Sequence, residues 1–232
     1  IVCKTQGHFD EALEYYLRAE AIFIEVVNER SLPGLYNNMA NIYLKRSHHE
    51  QALHYYNLAL QKYQILNNKE GVSQVYLNTG LVYKSKNELD TARSYLVRSL
   101  EIRKEIGHDQ GIGESYVQLG EVALMQANFS LAVDNCSQAF KYSNETGELE
   151  TLQGSCQCLY KAYKQTGNTA KALEYHELYI TYRDSMYNIE HTESIIREQY
   201  KYDYDKQFIA DSLAFVQQHE LDAIAHQAEL DQ

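Results

Sequence analysis

The sequence predicts an all-α fold, a right-handed solenoid of about 4.5 helical hairpins followed by one long C-terminal helix. Three observations carry that expectation. Ala12, Ala52, Ala92, Ala132 and Ala172 recur every 40 residues, and a fixed period of this size marks a stacked repeat array. Twelve positions before four of them stand Ala40, Gly80, Gly120 and Tyr160, and three further on stand Tyr43, Tyr83, Ala123 and Tyr163. Small residues where two helices approach, with large ones a turn away, are the pattern of a packed hairpin. Finally, no Gly or Pro occurs from Asn188 to Gln232, which permits a single long helix there.

The elements follow in order. Residues 1–6 read as the tail of a first helix A, so the chain is expected to begin inside a repeat, with its true N-terminus upstream. Helix A is expected near 34–46, 74–86, 114–126 and 154–166, and helix B near 9–27, 49–66, 89–106, 129–146 and 169–187. Ser47, Asn87, Asn128 and Gly167-Asn168 supply the tight turns within hairpins. Asn67-Asn68 to Gly71, Gly107 to Gly111, and Gly147 separate one repeat from the next, because Gly and Asn suit left-handed helix ends. Pro33 precedes a helix start, where it costs nothing. The repeats fill residues 1–187, with the first one truncated, and residues 188–232 form the capping or stalk helix.

These offsets resemble the tetratricopeptide repeat, which asks for aromatic, Leu, small, Tyr, small, aromatic and Ala at fixed positions. The second repeat supplies Tyr36, Met39, Ala40, Tyr43, Ala52, Tyr56 and Ala59. The third supplies Tyr76, Thr79, Gly80, Tyr83, Ala92, Leu96 and Ser99. The fourth supplies Tyr116, Leu119, Gly120, Ala123, Ala132, Cys136 and Ala139. The fifth departs further, with Cys156, Leu159, Tyr160, Tyr163, Ala172, His176 and Tyr179. The family period is usually 34 residues. The surplus here falls after the second helix, which is therefore expected to be about a turn longer. A HEAT-type array shares the period but not the twelve-residue small-to-Ala spacing. Long-period repeats of this kind resemble those of scaffold adaptors and of bacterial signalling receptors.

The C-terminal helix carries a strict seven-residue stripe, Ile195, Tyr202, Ile209, Val216, Ala223 and Leu230. Its second line (Gln199, Lys206, Leu213, Glu220, Gln227) is largely polar, so a coiled coil is half specified. Three Arg/Lys stand against ten Asp/Glu from residue 188 onward. The run from Tyr200 to Gln218 resembles the stretch after the last repeat of bacterial receptors of this repeat family. In those proteins it leads to a membrane helix and then a kinase, cyclase or DNA-binding effector. The resemblance implies a sensor region with a homodimeric stalk, a membrane helix downstream, and an extracytoplasmic (periplasmic) location. The alternative location is cytoplasmic.

Composition limits the function. With a net charge of −11 the chain lacks the basic stripe that nucleic acid binding needs. No apolar run approaches the length of a membrane span. The 21 tyrosines suit positions where a ring packs and its hydroxyl stays wet. Cys136 and Cys156 read as small core hydrophobes, and Cys156 and Cys158 point apart on a helix. Four unpaired cysteines would weigh against an oxidising compartment. No phosphate loop, nucleophile elbow or zinc-binding HExxH is present, and His219 and His226 lack a third metal ligand. The sequence calls for no enzyme activity and no cofactor within this chain.

In this repeat family the A helices line the concave groove. Carried over position by position, the resemblance puts Lys4, Asn37, Asn41, Leu44, Lys45, Gln74, Leu77, Leu81, Lys84, Glu114, Val117, Glu121, Leu124, Met125, Gln157, Lys161, Lys164 and Gln165 on that face. Asn amides can pair with a peptide backbone, apolar positions supply pockets, and Lys45, Lys84, Lys161 and Lys164 could attract an acidic group. Two readings follow. One is the sensory or regulatory domain of a bacterial receptor, binding a peptide or protein and dimerising through residues 195–230. The other is a soluble scaffold or adaptor with a monomeric array.

Overall fold

A computed structural model describes the backbone of residues 2–25 and 29–230, and the side chains of residues 9–25, 29–189, 191–209 and 212. Among the described residues there are nine α-helices and no strand. They are α1 (Val2–Glu25), α2 (Leu32–Lys45), α3 (His49–Ile65), α4 (Lys69–Ser85), α5 (Leu89–Glu105), α6 (Asp109–Met125), α7 (Phe129–Thr146), α8 (Leu149–Gln165) and α9 (Thr169–Leu230). The chain forms two compact units, residues 1–182 and 183–232.

In the first unit the helices alternate as A and B members of hairpins, and each A helix also touches the next A helix. One residue at each turn adopts a left-handed conformation: Ser47, Asn67, Asn87, Gly107, Ala127, Gly147 and Gly167. These seven positions are 20 residues apart, so turns within and between hairpins are built alike. The next residue but one opens a new helix. The intervening residue caps that helix in five cases, where Asn68, His108, Asn128, Glu148 and Asn168 accept the backbone N–H of Gly71, Gly111, Leu131, Thr151 and Lys171. Each such cap satisfies a backbone donor that the first turn leaves unpaired.

This arrangement corrects two expected boundaries. The A helices begin at Lys69, Asp109 and Leu149, about five residues before the expected starts. Gly71 and Gly111 are inside first turns and do not break the chain. A Cβ at Gly71 would overlap the ring of Tyr63, so this glycine serves close packing. The surplus over the usual repeat length is therefore shared, and α4 and α5 each hold 17 residues. Residues 2–6, expected as a separate helix, continue into α1.

The 40-residue period is a packing period. Ala52, Ala92 and Ala132 are fully buried and Ala172 nearly so, each letting its B helix approach the paired A helix. The tyrosines repeat as stacked pairs: Tyr43 on Tyr55 and Tyr83 on Tyr95 at 5.4 Å, and Tyr163 on Tyr175 at 5.7 Å. Polar rungs repeat on the surface, where Arg46 meets Asp10, Lys86 meets Glu50 and Gln126 meets Asp90. Such exposed contacts add little stability, so the register rests on the buried small and aromatic positions.

The fourth repeat lacks the stacked pair, having Ala123 and Asn135 in those places. There Cys136 on α7 and Cys158 on α8 form a disulfide, with Cα atoms 6.2 Å apart. This overturns the expectation of four unpaired cysteines. The partners lie 22 residues apart on neighbouring helices, a spacing no local motif reveals. Gly120 makes room for the bond, since a Cβ there would overlap the Cys136 sulfur. Cys156 is a buried free thiol, and burial pushes its pKa up to about 12.

In the second unit, residues 183–230 are helical throughout. Ile195, Tyr202 and Ile209 of the seven-residue stripe are 55%, 63% and 59% exposed. The side chains of Val216, Ala223 and Leu230 lie outside the described residues, as do those of Lys4, His219 and His226.

Candidate functional site

The A helices α2, α4, α6 and α8 share one face of the first unit, and their polar side chains join across it. Asn78 on α4 donates to Asn37 Oδ1 and Asn41 Oδ1 on α2, at 3.0 and 3.3 Å. The Tyr56 hydroxyl also donates to Asn41 Oδ1, and burial raises the Tyr56 pKa, which keeps it a donor. Gln74 Nε2 donates to Asn78 Oδ1 at 3.2 Å. Arg103 Nη2 then donates to Gln74 Oε1 at 2.7 Å. One hydrogen-bonded ladder thus runs from α2 through α4 to Arg103 on α5.

Arg103 is the anchor of that ladder. It is 2% exposed, an extreme position for a charge. Its Nη1 donates to Gly111 O and Ser115 Oγ at 2.6 and 2.9 Å, and Nη2 is 2.9 Å from the Glu114 carboxylate. Burial lowers its pKa and Glu114 opposes that shift. The guanidinium is so basic that it stays charged. Its Nε has no hydrogen-bond partner.

Beside this anchor a basin of about 470 Å³ opens between α6 and α8. Glu114, Val117, Gln118 and Glu121 form one wall. Glu148, Glu150, Thr151, Gln153, Gly154 and Gln157 form the other, with Arg103 and His108 at the base and Tyr179 from the first part of α9. The α8 backbone packs against the Val117 side chain of α6 here, because a Cβ on Gly154 would stand 3.1 Å from Val117 Cγ1. A second hollow of about 320 Å³ continues along Gln74, Arg103 and His108 towards Tyr63.

The expected face residues distribute unevenly. Gln74, Glu114, Val117, Glu121 and Gln157 line the basin, while Asn37, Asn41 and Gln74 stand in the ladder. Leu77 does neither. It is 1% exposed and packs in the core with Leu96 and Leu100 of α5 and Leu119 of α6, because its position turns towards the B helix. The lysines are largely engaged. Lys84 donates to Gln118 and Glu121, Lys161 to Gln157 at 3.2 Å, and Lys164 sits over the Tyr160 ring at 5.6 Å. Lys45 is exposed.

Arg103, His108, Gln118, Glu148 and Glu150 were not expected in the site. Arg103 carries a legible signal, since Tyr63, Arg103 and Ser143 occupy one 40-residue register that continues the inward stripe of helix B. Glu148 and His108 share a register with the cap Asn68. They enter the site because helix A starts earlier than expected. Among the described residues no three His, Cys, Asp or Glu side chains are grouped to hold a metal ion. No helix among them is long and apolar enough to cross a membrane.

Residues 31–105 match the tetratricopeptide repeat family model. No curated protein matches the chain. Its fold is similar to aspartyl phosphate phosphatase F from Bacillus subtilis, with TM-score 0.71 and 15% identity over 79% of this chain and 49% of that one. BtubC (BKLC) from P. vanneervenii gives TM-score 0.69 and 21% identity over 79% and 76% of the two chains. The Rap conjugation gene regulator of plasmid pLS20, solved in complex with the Phr* peptide, gives 0.68 and 19% over 78% and 50%. The chain spans about half the length of the phosphatase and of the conjugation regulator. At these identities the likeness is one of fold.

Proposed function

We propose that this chain, a solenoid whose residues 31–105 are tetratricopeptide repeats, binds a peptide segment on its A-helix face. We propose further that it serves as the sensory or regulatory part of a bacterial signalling receptor. The observation that carries the binding reading is the polar ladder ending in the basin. Asn37 and Asn41 accept through Oδ1, which leaves their Nδ2 donors for a ligand carbonyl. The glutamines of the basin offer both donors and acceptors to an extended backbone. A fold neighbour solved with a peptide supports the same reading.

The receptor reading adds a homodimer through Ile195, Tyr202 and Ile209, whose exposed apolar side chains form a self-complementary stripe. It also places the chain outside the cytoplasm, where the Cys136–Cys158 bond would persist. Ligand on the A-helix face would alter how the repeats stack and pass a shift to α9, because each repeat contacts its neighbours.

The test is a selection of displayed random heptapeptides on the immobilised chain. Capture is expected from the native protein and not from a variant carrying Asn37→Ala and Gln157→Ala, with circular dichroism unchanged. Equal capture by both, or none by either, would contradict binding on this face.

A further inference from the structure

We infer that the basin between α6 and α8 takes a lysine or arginine side chain of its peptide ligand, an inference that rests on the proposed binding face. The charge inventory decides it. Four carboxylates line the basin, from Glu114, Glu121, Glu148 and Glu150. The positive groups beside them are already consumed. Arg103 is buried and held by Glu114, Gln74, Ser115 and the Gly111 carbonyl. Lys84 is held 2.6 Å from Glu121 and also bonds Gln118.

An acidic ligand group entering here meets four carboxylates and no uncommitted cation of the basin. It would have to break the Lys84 or Arg103 pairing to find a partner. A cationic group finds the reverse. Glu150 is exposed, Glu148 spends one oxygen on the Thr151 N–H, and the glutamine carbonyls are acceptors. Tyr179 adds a ring to the same lining, a surface that favours a cation at its face. The net charge of −11 on the whole chain draws a basic peptide from a distance. The size fits as well, since about 470 Å³ lies within the usual range for ligand clefts and exceeds one long side chain. In this basin the ligand charge inferred is the opposite of the acidic group that the face lysines were expected to attract, because Lys84 is paired with Glu121.

The experiment reads the composition of heptapeptides captured in the display selection. Lys or Arg is expected to be enriched at one position of the captured pool. A Glu148→Gln, Glu150→Gln variant, which keeps the Lys84–Glu121 pair intact, is expected to capture peptides without that enrichment. A synthetic copy of a captured peptide should bind about tenfold more weakly when its cation is replaced by glutamine. It should also weaken as NaCl rises from about 50 to 300 mM. A pool enriched in Asp or Glu, or one without charge preference, overturns the cationic assignment and leaves the binding face standing. An empty pool overturns both.

Discussion

Leu159 in the repeat array and Ile195 in the C-terminal unit are both large aliphatic residues on helices, and their circumstances differ completely. Leu159 is fully buried among Ala132, Cys136 and Ala162, whereas Ile195 is 55% exposed. The array matches each large side chain with a small one on the facing helix, in a 40-residue register that the chain itself closes. The C-terminal stripe repeats every seven residues, and its described members Ile195, Tyr202 and Ile209 stay more than half exposed. A repeat pattern that contains both halves of its contact folds on its own. One that contains a single half needs a second surface.

The first prediction attacks that contrast at its widest. Leu159→Ala should cost about 3 kcal/mol in urea unfolding, from lost burial and the cavity left behind. Replacing Ile195 and Tyr202 together by lysine should leave the urea midpoint of the array unchanged. By light scattering it should halve the mass, as removal of the residues after Tyr187 should also do. If the lysine pair unfolds the array, or the intact chain is already a monomer, the two regions do not differ in the way proposed.

A second prediction sharpens the account within the array. Reduction of Cys136–Cys158, which closes a 22-residue separation, should lower stability by about 3 kcal/mol. Alkylation of the unfolded chain should block two more thiols after reduction than before. Equal labelling with and without reductant would remove the bond and the extracytoplasmic argument built on it. A smaller effect is expected at the turns. Ala127 holds a left-handed conformation that glycine occupies at the equivalent Gly107 and Gly147. Ala127→Gly should raise stability by about 0.5 kcal/mol, the relief of strain less the entropy of a freer unfolded chain. A loss of that size would mean the Ala127 side chain contributes packing.

Much of the fold is legible in the sequence because its period is set by steric necessity. Ala52, Ala92 and Ala132 cannot grow without separating two helices. Helix A starts earlier than the sequence suggests because Asn67, Asn68 and Gly71 have the composition of a loop. Here they are a left-handed end, a cap and a packing glycine within the next three residues. The disulfide is illegible because its partners belong to different repeats. The charge of the site is illegible for a related reason. Lys84 and Glu121 stand 37 residues apart, and their mutual neutralisation appears only when α4 and α6 lie side by side.

The most direct measurement is photo-crosslinking of a captured heptapeptide bearing one benzophenone residue, followed by mass-spectrometric mapping on the intact chain. Adducts are predicted within residues 109–125 and 149–157, on α6 and the first half of α8. Adducts confined to α3, α5 and α7, or to residues 183–230, would contradict the assignment of the A-helix face as the binding surface.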